Sequence, residues 1–274
     1  MSLSDSKLLN LHLGAGIMHA ANTAFSAYWV NKKLDSAGYF PVTNQFANGP
    51  PGNAVPEIKE IGSYKLARLV PVFPALSMVN HFYSYFFPKH YLQQVNKGVN
   101  PVRWGEYSIS AGVMLIIISH LSGGNDIKQL QQLVLSNMAL QAVGYLVEKE
   151  TAQGITDGSP HHYEQAVLQE LIGFLILASQ WSTLFTSFFT SIQESSEEAP
   201  DTVYAIIFLM FALFVTFGVL SIFYMRGQKA IRTNWLKGEV RDFRQVEVGY
   251  ITLSFVSKTL LTYLVLFGSV IPTE

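Results

Sequence analysis

The chain of 274 residues contains no cysteine, which excludes a disulfide scaffold, a thiolate nucleophile and any Cys-ligated metal. Charge is scarce as well. Asp, Glu, Lys and Arg make up 14% of the residues, far below the ~25% of an ordinary soluble domain. The net charge of −1 gives no electrostatic footprint for nucleic acid. No period of 20 to 50 residues recurs, so the chain reads as one bundle and not as a repeat array. What is abundant is apolar: 49% of residues are hydrophobic and the mean hydropathy is +0.25. Water is a poor solvent for such a surface.

The few charges leave six windows without any Asp, Glu, Lys or Arg: 8–31, 69–88, 107–125, 129–147, 171–193 and 202–225. A helix crossing ~30 Å of hydrocarbon needs ~20 mostly apolar residues. A seventh stretch, Val248 to Pro272, meets that length with one charge, Lys258. The expectation is an all-α membrane protein, a single seven-transmembrane-helix bundle over 1–274. Its helices fall near 7–31, 69–88, 100–122, 128–148, 163–193, 201–226 and 245–272. The window 129–147 carries Gln129, Gln131, Gln132, Asn137 and Gln141, which must face other helices or a wet cavity. The first window outlasts the apolar core of a secretory signal, and MSLSDSK is scarcely basic, so this span is expected to be retained. Eleven of the 18 Lys and Arg lie on the side of the N-terminus and six on the other. The positive-inside rule then puts the N-terminus in the cytoplasm and the C-terminus outside. One connection is long, 32–68, and its Asn-Gly-Pro-Pro-Gly cluster at 48–52 between β-favouring residues suggests an external β-hairpin after helix 1.

Lys258 is the residue that needs an explanation. It lies ten residues past Val248 and fourteen before Pro272, roughly 15 to 20 Å from either end of a helix. Its stem is too short to carry the ammonium to the headgroups, so it must be paired, neutral or covalently modified. Glu106 is the natural partner, the only acid within the third span. Opposite charges at close range favour each other's ionised form. A protonated imine formed by Lys258 with an aldehyde would keep the charge and add a chromophore, and burial favours the nucleophilic amine that such chemistry needs. Trp181 lies mid-span in 171–193, and Phe208, Phe211, Phe214 and Phe217 recur every three residues. Such spacing is common in plain packing, and only beside Lys258 does it suggest a slot for a long apolar ligand.

Lys258 in LSFVSKT and Glu106 in RWGEYSIS, with GIMH (16–19), NGPPG (48–52), NHF (80–82), LVEK (146–149) and WLKGE (235–239) in this order, resemble the heliorhodopsin family along nearly the whole chain. The resemblance implies all-trans retinal on Lys258 as a protonated Schiff base, with Glu106 as sole carboxylate counterion. It also implies Ser254 near the imine, His19 and His81 in a polar cytoplasmic-side cavity that accepts the proton, the hairpin after helix 1, and a homodimer. The ligand site expected on these grounds includes Ser254, Ser110, Trp181, Met114, Phe214 and Phe217. Ser254 is one turn before Lys258 and so shares its face; in ion-pumping relatives that position carries a second carboxylate. Ser110, one turn after Glu106, can hydrogen-bond either partner. Arg103 can pair with Glu106 or reach the cytoplasmic headgroups. His161 and His162, near Asp157, receive no role. Ala111-Gly112 and Val215-Thr216 depart from the more usual polar residues of the family, which leaves the absorption colour open.

A light-driven pump needs a proton donor and an acceptor on opposite sides of the imine. Eleven residues after Glu106, where pumping rhodopsins carry the donor, stands Ile117. The expectation is therefore a light sensor with a slow photocycle, no enzymatic or ion-pumping activity, and an output through a cytoplasmic signalling or enzyme partner. Two alternatives stand beside it. A light-gated proton channel or transporter would use Glu170 and Glu194. A seven-helix membrane metal hydrolase would need about three convergent His or acidic ligands, and the last three spans hold no histidine beyond His161 and His162.

Overall fold

The computed structural model describes residues 4–50, 52–196, 198–233 and 243–268. Among them the order is α1 (Asp5–Lys33), β1 (Phe40–Asn48), β2 (Val55–Tyr64), a 3-10 turn (Leu66–Leu69), α2 (Val72–Phe86), α3 (Pro88–Asn96), α4 (Pro101–Leu121), α5 (Ile127–Asp157), α6 (Pro160–Glu194), α7 (Asp201–Thr233) and α8 (Phe243–Gly268). Local chemistry sets several ends. The Ser4 hydroxyl caps α1 by accepting from the Lys7 N–H, with Asp5 in the first turn and Lys32 and Lys33 in the last, which suits the helix dipole. Asn100 caps α4 in the same way, followed by Pro101 at the first helical position. Gly158, with φ of 64°, closes α5 in the left-handed conformation that costs glycine little.

The helices close a ring in which α1 packs on α2, α2 on α4, α4 on α5, and so on through α8, which returns to α1. The short α3 continues α2 and leans on α8. Polar residues of the ring face inward: His12, His19, Asn22 and Ser26 of α1 are buried, as are Ser77, Asn80 and His81 of α2. Large apolar side chains face out, among them Ile17, Ile109, Leu135, Leu171 and Leu175. That is the arrangement a lipid solvent selects. By length and composition alone, three helices are apolar enough to cross a membrane: Pro160–Glu194, Asp201–Arg226 and Phe243–Gly268. In the others inward-facing polar groups dilute the hydropathy, and α2 has only 15 residues.

Several lengths differ from the sequence expectation. The helix expected over 128–148 runs on to Asp157, and the one expected over 163–193 begins at Pro160. The span expected over 69–88 divides into the 3-10 turn and the shorter α2, and α3 occupies what had been read as a connection. Pro88 starts α3 where a proline is tolerated, at N1. Pro51 of the NGPPG cluster, the WLKGE segment and the helix end expected at 272 lie outside the described residues. Of the polar residues in 129–147, Asn137 donates to the Ser108 carbonyl at 2.9 Å, Gln141 to Asn137 at 3.1 Å, and Gln129 to Ser187 at 3.0 Å. Gln131 and Gln132 are exposed instead.

The hairpin is present. β1 and β2 pair antiparallel, with a register break between Val42 and Thr43. Its turn uses Gly49 and Gly52, both at positive φ, a conformation that favours glycine. The strands do not stand alone. Thr43 N–H donates to the Asn125 carbonyl at 3.0 Å and Gln45 N–H to the Asp126 carboxylate at 2.8 Å, while the Lys128 ammonium bonds the Gln45 carbonyl. Asp126 also accepts from the Lys128 N–H as the cap of α5. Slight burial opposes ionisation of Asp126, but the backbone N–H groups and the Lys128 charge outweigh it and hold the carboxyl below its ordinary value. A depressed folded-state pKa contributes stability that is present above the unfolded value and is lost as pH falls through the folded one. Asp126→Ala should cost about 1 kcal/mol as a lost cap and speed amide exchange at Thr43 and Gln45. In the unsubstituted protein the same loosening should appear only on acidification below the usual carboxylate range.

Candidate functional site

α8 positions the lysine. Side chains of a helix tilt toward its N-terminus, so the Lys258 stem runs back along α8 and its Nζ donates to Ser254 Oγ at 2.9 Å. The same Nζ lies 3.3 Å from Glu106 Oε1, and both side chains are almost wholly buried. Glu106 Oε1 accepts a second hydrogen bond, from Ser77 Oγ of α2 at 2.8 Å. The Tyr107 ring, its centroid 4.8 Å from Nζ, adds a π face to the cation. On the next turn Thr262 donates to the Lys258 carbonyl at 2.8 Å, and Asn22 of α1 approaches Thr262 at 3.4 Å. One amine is thus held by three helices and shielded from solvent.

A mostly apolar cavity lies between α4, α5, α6, α7 and α8, with Lys258 in its wall. Its walls include Tyr107, Met114, Leu140, Leu177, Phe214 and Phe217. Also lining it are Gly144, Gly173 and Gly218, where the missing side chains leave room, and the carboxyl of Glu170. Glu170 accepts from Ser221 Oγ at 2.9 Å.

The structure brings most of the residues named from sequence to one place. Lys258, Met114, Phe214 and Phe217 line the cavity, and Glu106 and Ser254 hold the amine. Trp181 does not line it. That indole is buried behind the wall, 5.6 Å from the Phe214 ring and 5.3 Å from Phe211. Phe208 packs on Phe185 and is about half exposed; spacing of three residues drifts around a helix of 3.6 per turn, so the four phenylalanines share no single face. The Ser110 hydroxyl is buried without a hydrogen-bond partner, and Ser77 takes the position expected for it. His19 and His81 stack at 5.3 Å, and His19 meets Phe255, the neighbour of Ser254, at 5.6 Å. Among the described residues no group of three or more His, Asp or Glu converges as a metal site. His162 pairs with Glu150 and Asp157 near the α5–α6 turn.

Arg103 corrects the expectation most clearly. It pairs neither with Glu106 nor with solvent; its guanidinium is buried between Glu148 of α5 and Glu247 of α8, with ion pairs to both. Glu148 also accepts from the Trp104 indole at 2.8 Å and from the Asn100 N–H. Glu247 accepts from Asn100 Nδ2 at 2.8 Å and from Tyr91 at 3.0 Å, and the Tyr250 ring lies 3.9 Å from the guanidinium. Both acids stand near the ends of expected helices, Glu148 in 128–148 and Glu247 in 245–272, and nothing in the sequence marks them as partners of Arg103. His12 was missed for another reason: it is seven residues before His19, two turns along the same face, and that spacing is the signal. Ser77 stands in the same relation to His81, one turn before it.

A lysine and a carboxylate thus lie buried face to face beside an apolar slot, inside a helical bundle with an apolar exterior. The Heliorhodopsin family model matches residues 8–270, nearly the whole chain, and the chain belongs to that family. It is a retinal photoreceptor of the membrane. No curated protein matches the sequence.

The arginine cluster yields a stability test. Removing the arginine strands two buried carboxylates and should cost about 3–5 kcal/mol, whereas exchanging a whole buried ion cluster for apolar side chains is often close to neutral. Thermal unfolding in detergent should show a large loss for Arg103→Met. Most of that loss should be recovered in the combined Arg103→Met, Glu148→Leu, Glu247→Leu variant.

Proposed function

We propose that this protein is a light sensor in which all-trans retinal is held on Lys258 as a protonated Schiff base, with Glu106 as its only counterion. The observation that carries the reading is the 3.3 Å approach of Lys258 Nζ to Glu106 Oε1, with Lys258 in the wall of the apolar cavity. The residues present fit the group: the slot is lined by Lys258 together with Tyr107, Met114, Phe214 and Phe217, and Trp181 braces Phe214 from behind. Bound there, retinal supplies absorption of visible light and a light-driven change of shape. The chain's own residues do the rest. Glu106 and Ser254 hold the proton on Nζ, Ser77 orients the carboxylate, and the packed ring of helices keeps water from the nitrogen.

The imine position that could carry a second carboxylate is Ser254, and the position of a pump's donor is Ile117, itself buried among apolar residues. Both favour a slow photocycle without net ion transport. The proton moves toward His19 and His81, and the response reaches the cytoplasmic surface, where a signalling or enzyme partner would bind. In this reading α1, α2 and α4–α8 are the seven transmembrane helices, the N-terminus is cytoplasmic, and two copies associate as a homodimer. A light-gated proton channel is the second reading, and the buried Glu170 in the cavity is the observation in its favour. Glu194, the other acid it would use, is exposed at the end of α6 and lines no part of that cavity.

Purified with added all-trans retinal, the protein should show a visible band that is absent in Lys258→Ala. A counterion stabilises the positive charge at the nitrogen in the ground state, where that charge is most localised. Glu106→Gln should therefore move the band to longer wavelength and let the proton leave at lower pH than in the unsubstituted protein. A colourless protein, or equal colour without the lysine, contradicts the reading.

Orientation has its own test, made simple by the absence of cysteine. A membrane-impermeant maleimide should label Asn53→Cys, in the hairpin turn, on intact cells, and should label His161→Cys only after the cells are opened. The reverse pattern contradicts a cytoplasmic N-terminus.

A further inference from the structure

Four histidines are buried; His120 packs against Phe40 and Tyr64, and the other three, His12, His19 and His81, lie together. His12 of α1 and His81 of α2 approach Nδ1 to Nδ1 at 2.9 Å, a contact that requires one shared proton, since two bare nitrogens or two N–H groups would repel. His81 in turn stacks on His19, and His19 lies beside Phe255 at the level of the Lys258 and Ser254 pair. All three rings are essentially inaccessible. His12 Nε2, both nitrogens of His19 and Glu106 Oε2 are buried without hydrogen-bond partners, so this interior is rich in unfilled proton-binding capacity between α1, α2 and α8. Buried polar groups that only fill space are normally satisfied.

His12 also marks where the chain of imidazoles ends. Its ring meets Tyr91 of α3 edge-on at 4.6 Å, and Tyr91 donates to Glu247 at 3.0 Å. The groups facing His12 are therefore His81 from α2, Tyr91 from α3 and, within electrostatic reach, Arg103 from α4, which is itself paired with Glu247 and Glu148. The three imidazoles thus stand in a row between the lysine and the buried arginine cluster at the end of the bundle that holds the N-terminus, hydrogen-bonded at the His12–His81 step and stacked at the His81–His19 step.

We propose that His12 is the terminal proton-holding residue of a three-histidine relay that starts at Lys258 and reports to the Tyr91–Glu247–Arg103 cluster. The inference rests on the light-sensor reading above and deepens it. The balance is simple: the N–H bond at Lys258 Nζ breaks, the His81 and His12 pair gains one N–H bond, and no proton enters or leaves the protein. The step reverses along the same path. A positive charge on His12 pulls on Glu247 through Tyr91 and competes with Arg103 for it, so the cluster that clips α8 to α4 and α5 loosens while the proton is held.

The test uses His12→Asn, which keeps a hydrogen-bonding side chain and removes the base, with His12→Gln as the second variant. In the dark protein carrying ring-15N histidine, loss of His12 should shift the His81 Nδ1 resonance, because the shared proton is gone; this readout needs no light. In flash experiments on the retinal-loaded protein, the state with a deprotonated nitrogen should decay at least about tenfold faster, the rate change that corresponds to about 1.4 kcal/mol of lost proton-holding. An imidazolium infrared band should disappear from the light-minus-dark spectrum. An unchanged His81 resonance or an unchanged decay overturns the relay while leaving the chromophore assignment standing, provided the visible band forms. If neither variant folds, ring-labelled unsubstituted protein decides: a light-induced imidazolium signal in only two histidines, excluding His12, overturns it. A colourless unsubstituted protein overturns the relay together with the reading it rests on.

Discussion

A charged amine enclosed by a helical bundle is tolerable only if its charge is answered at close range, and the Lys258–Glu106 pair is that answer. Desolvation penalises each charge by several kcal/mol, and the attraction across 3.3 Å is helped to offset it by neighbouring hydroxyls. Ser77 donates to one oxygen of the carboxylate, and Ser254 accepts from the amine. The Tyr107 face and the Thr262–Asn22 contact fix the surroundings. Remove the acid and the amine loses its close anion; remove the lysine and a buried carboxylate is left without a cation.

The same two helices are tied a second time. α4 carries Arg103 one turn before Glu106, and α8 carries Glu247 about 16 Å before Lys258 at 1.5 Å per residue. The signs are reversed: the cation is on α4 in one pair and on α8 in the other. A bundle cross-linked at two depths by opposite charge pairs has two places where a moving proton changes what holds the helices together. The inner pair faces the slot and the other pair lies nearer the surface that would meet a partner. The three histidines lie between them, which is why the interior polar groups of α1 and α2 are so numerous while the outward faces stay apolar.

The features legible in the sequence were those set by local rules. Charge-free windows located the long helices, and the Gly-Pro-Pro-Gly cluster located the hairpin. The mid-helix position of Lys258 identified the site before any geometry. Ser254 followed from helical periodicity alone. What stayed hidden depends on which faces meet. Ser110 and Ser77 are equally plausible partners for Glu106 by type, and only the approach of α2 to α4 selects Ser77. Arg103 is three residues from Glu106 in sequence, yet the rotation of α4 turns it toward α5 and α8. Glu148 and Glu247 stand near the ends of two expected helices, where an acid reads as a headgroup-level charge until α4, α5 and α8 meet around Arg103. The hairpin's attachment through Asn125 and Asp126 joins segments some eighty residues apart, beyond the reach of any local pattern.

The most direct measurement of the central claim is chemical. Borohydride reduction of the coloured protein converts an imine into a stable secondary amine, and peptide mass mapping then finds the modified lysine. The account predicts a single retinyl adduct, on the peptide containing Lys258, with every other lysine unmodified. An adduct on a different lysine, or a coloured protein with no covalent adduct at all, would contradict it.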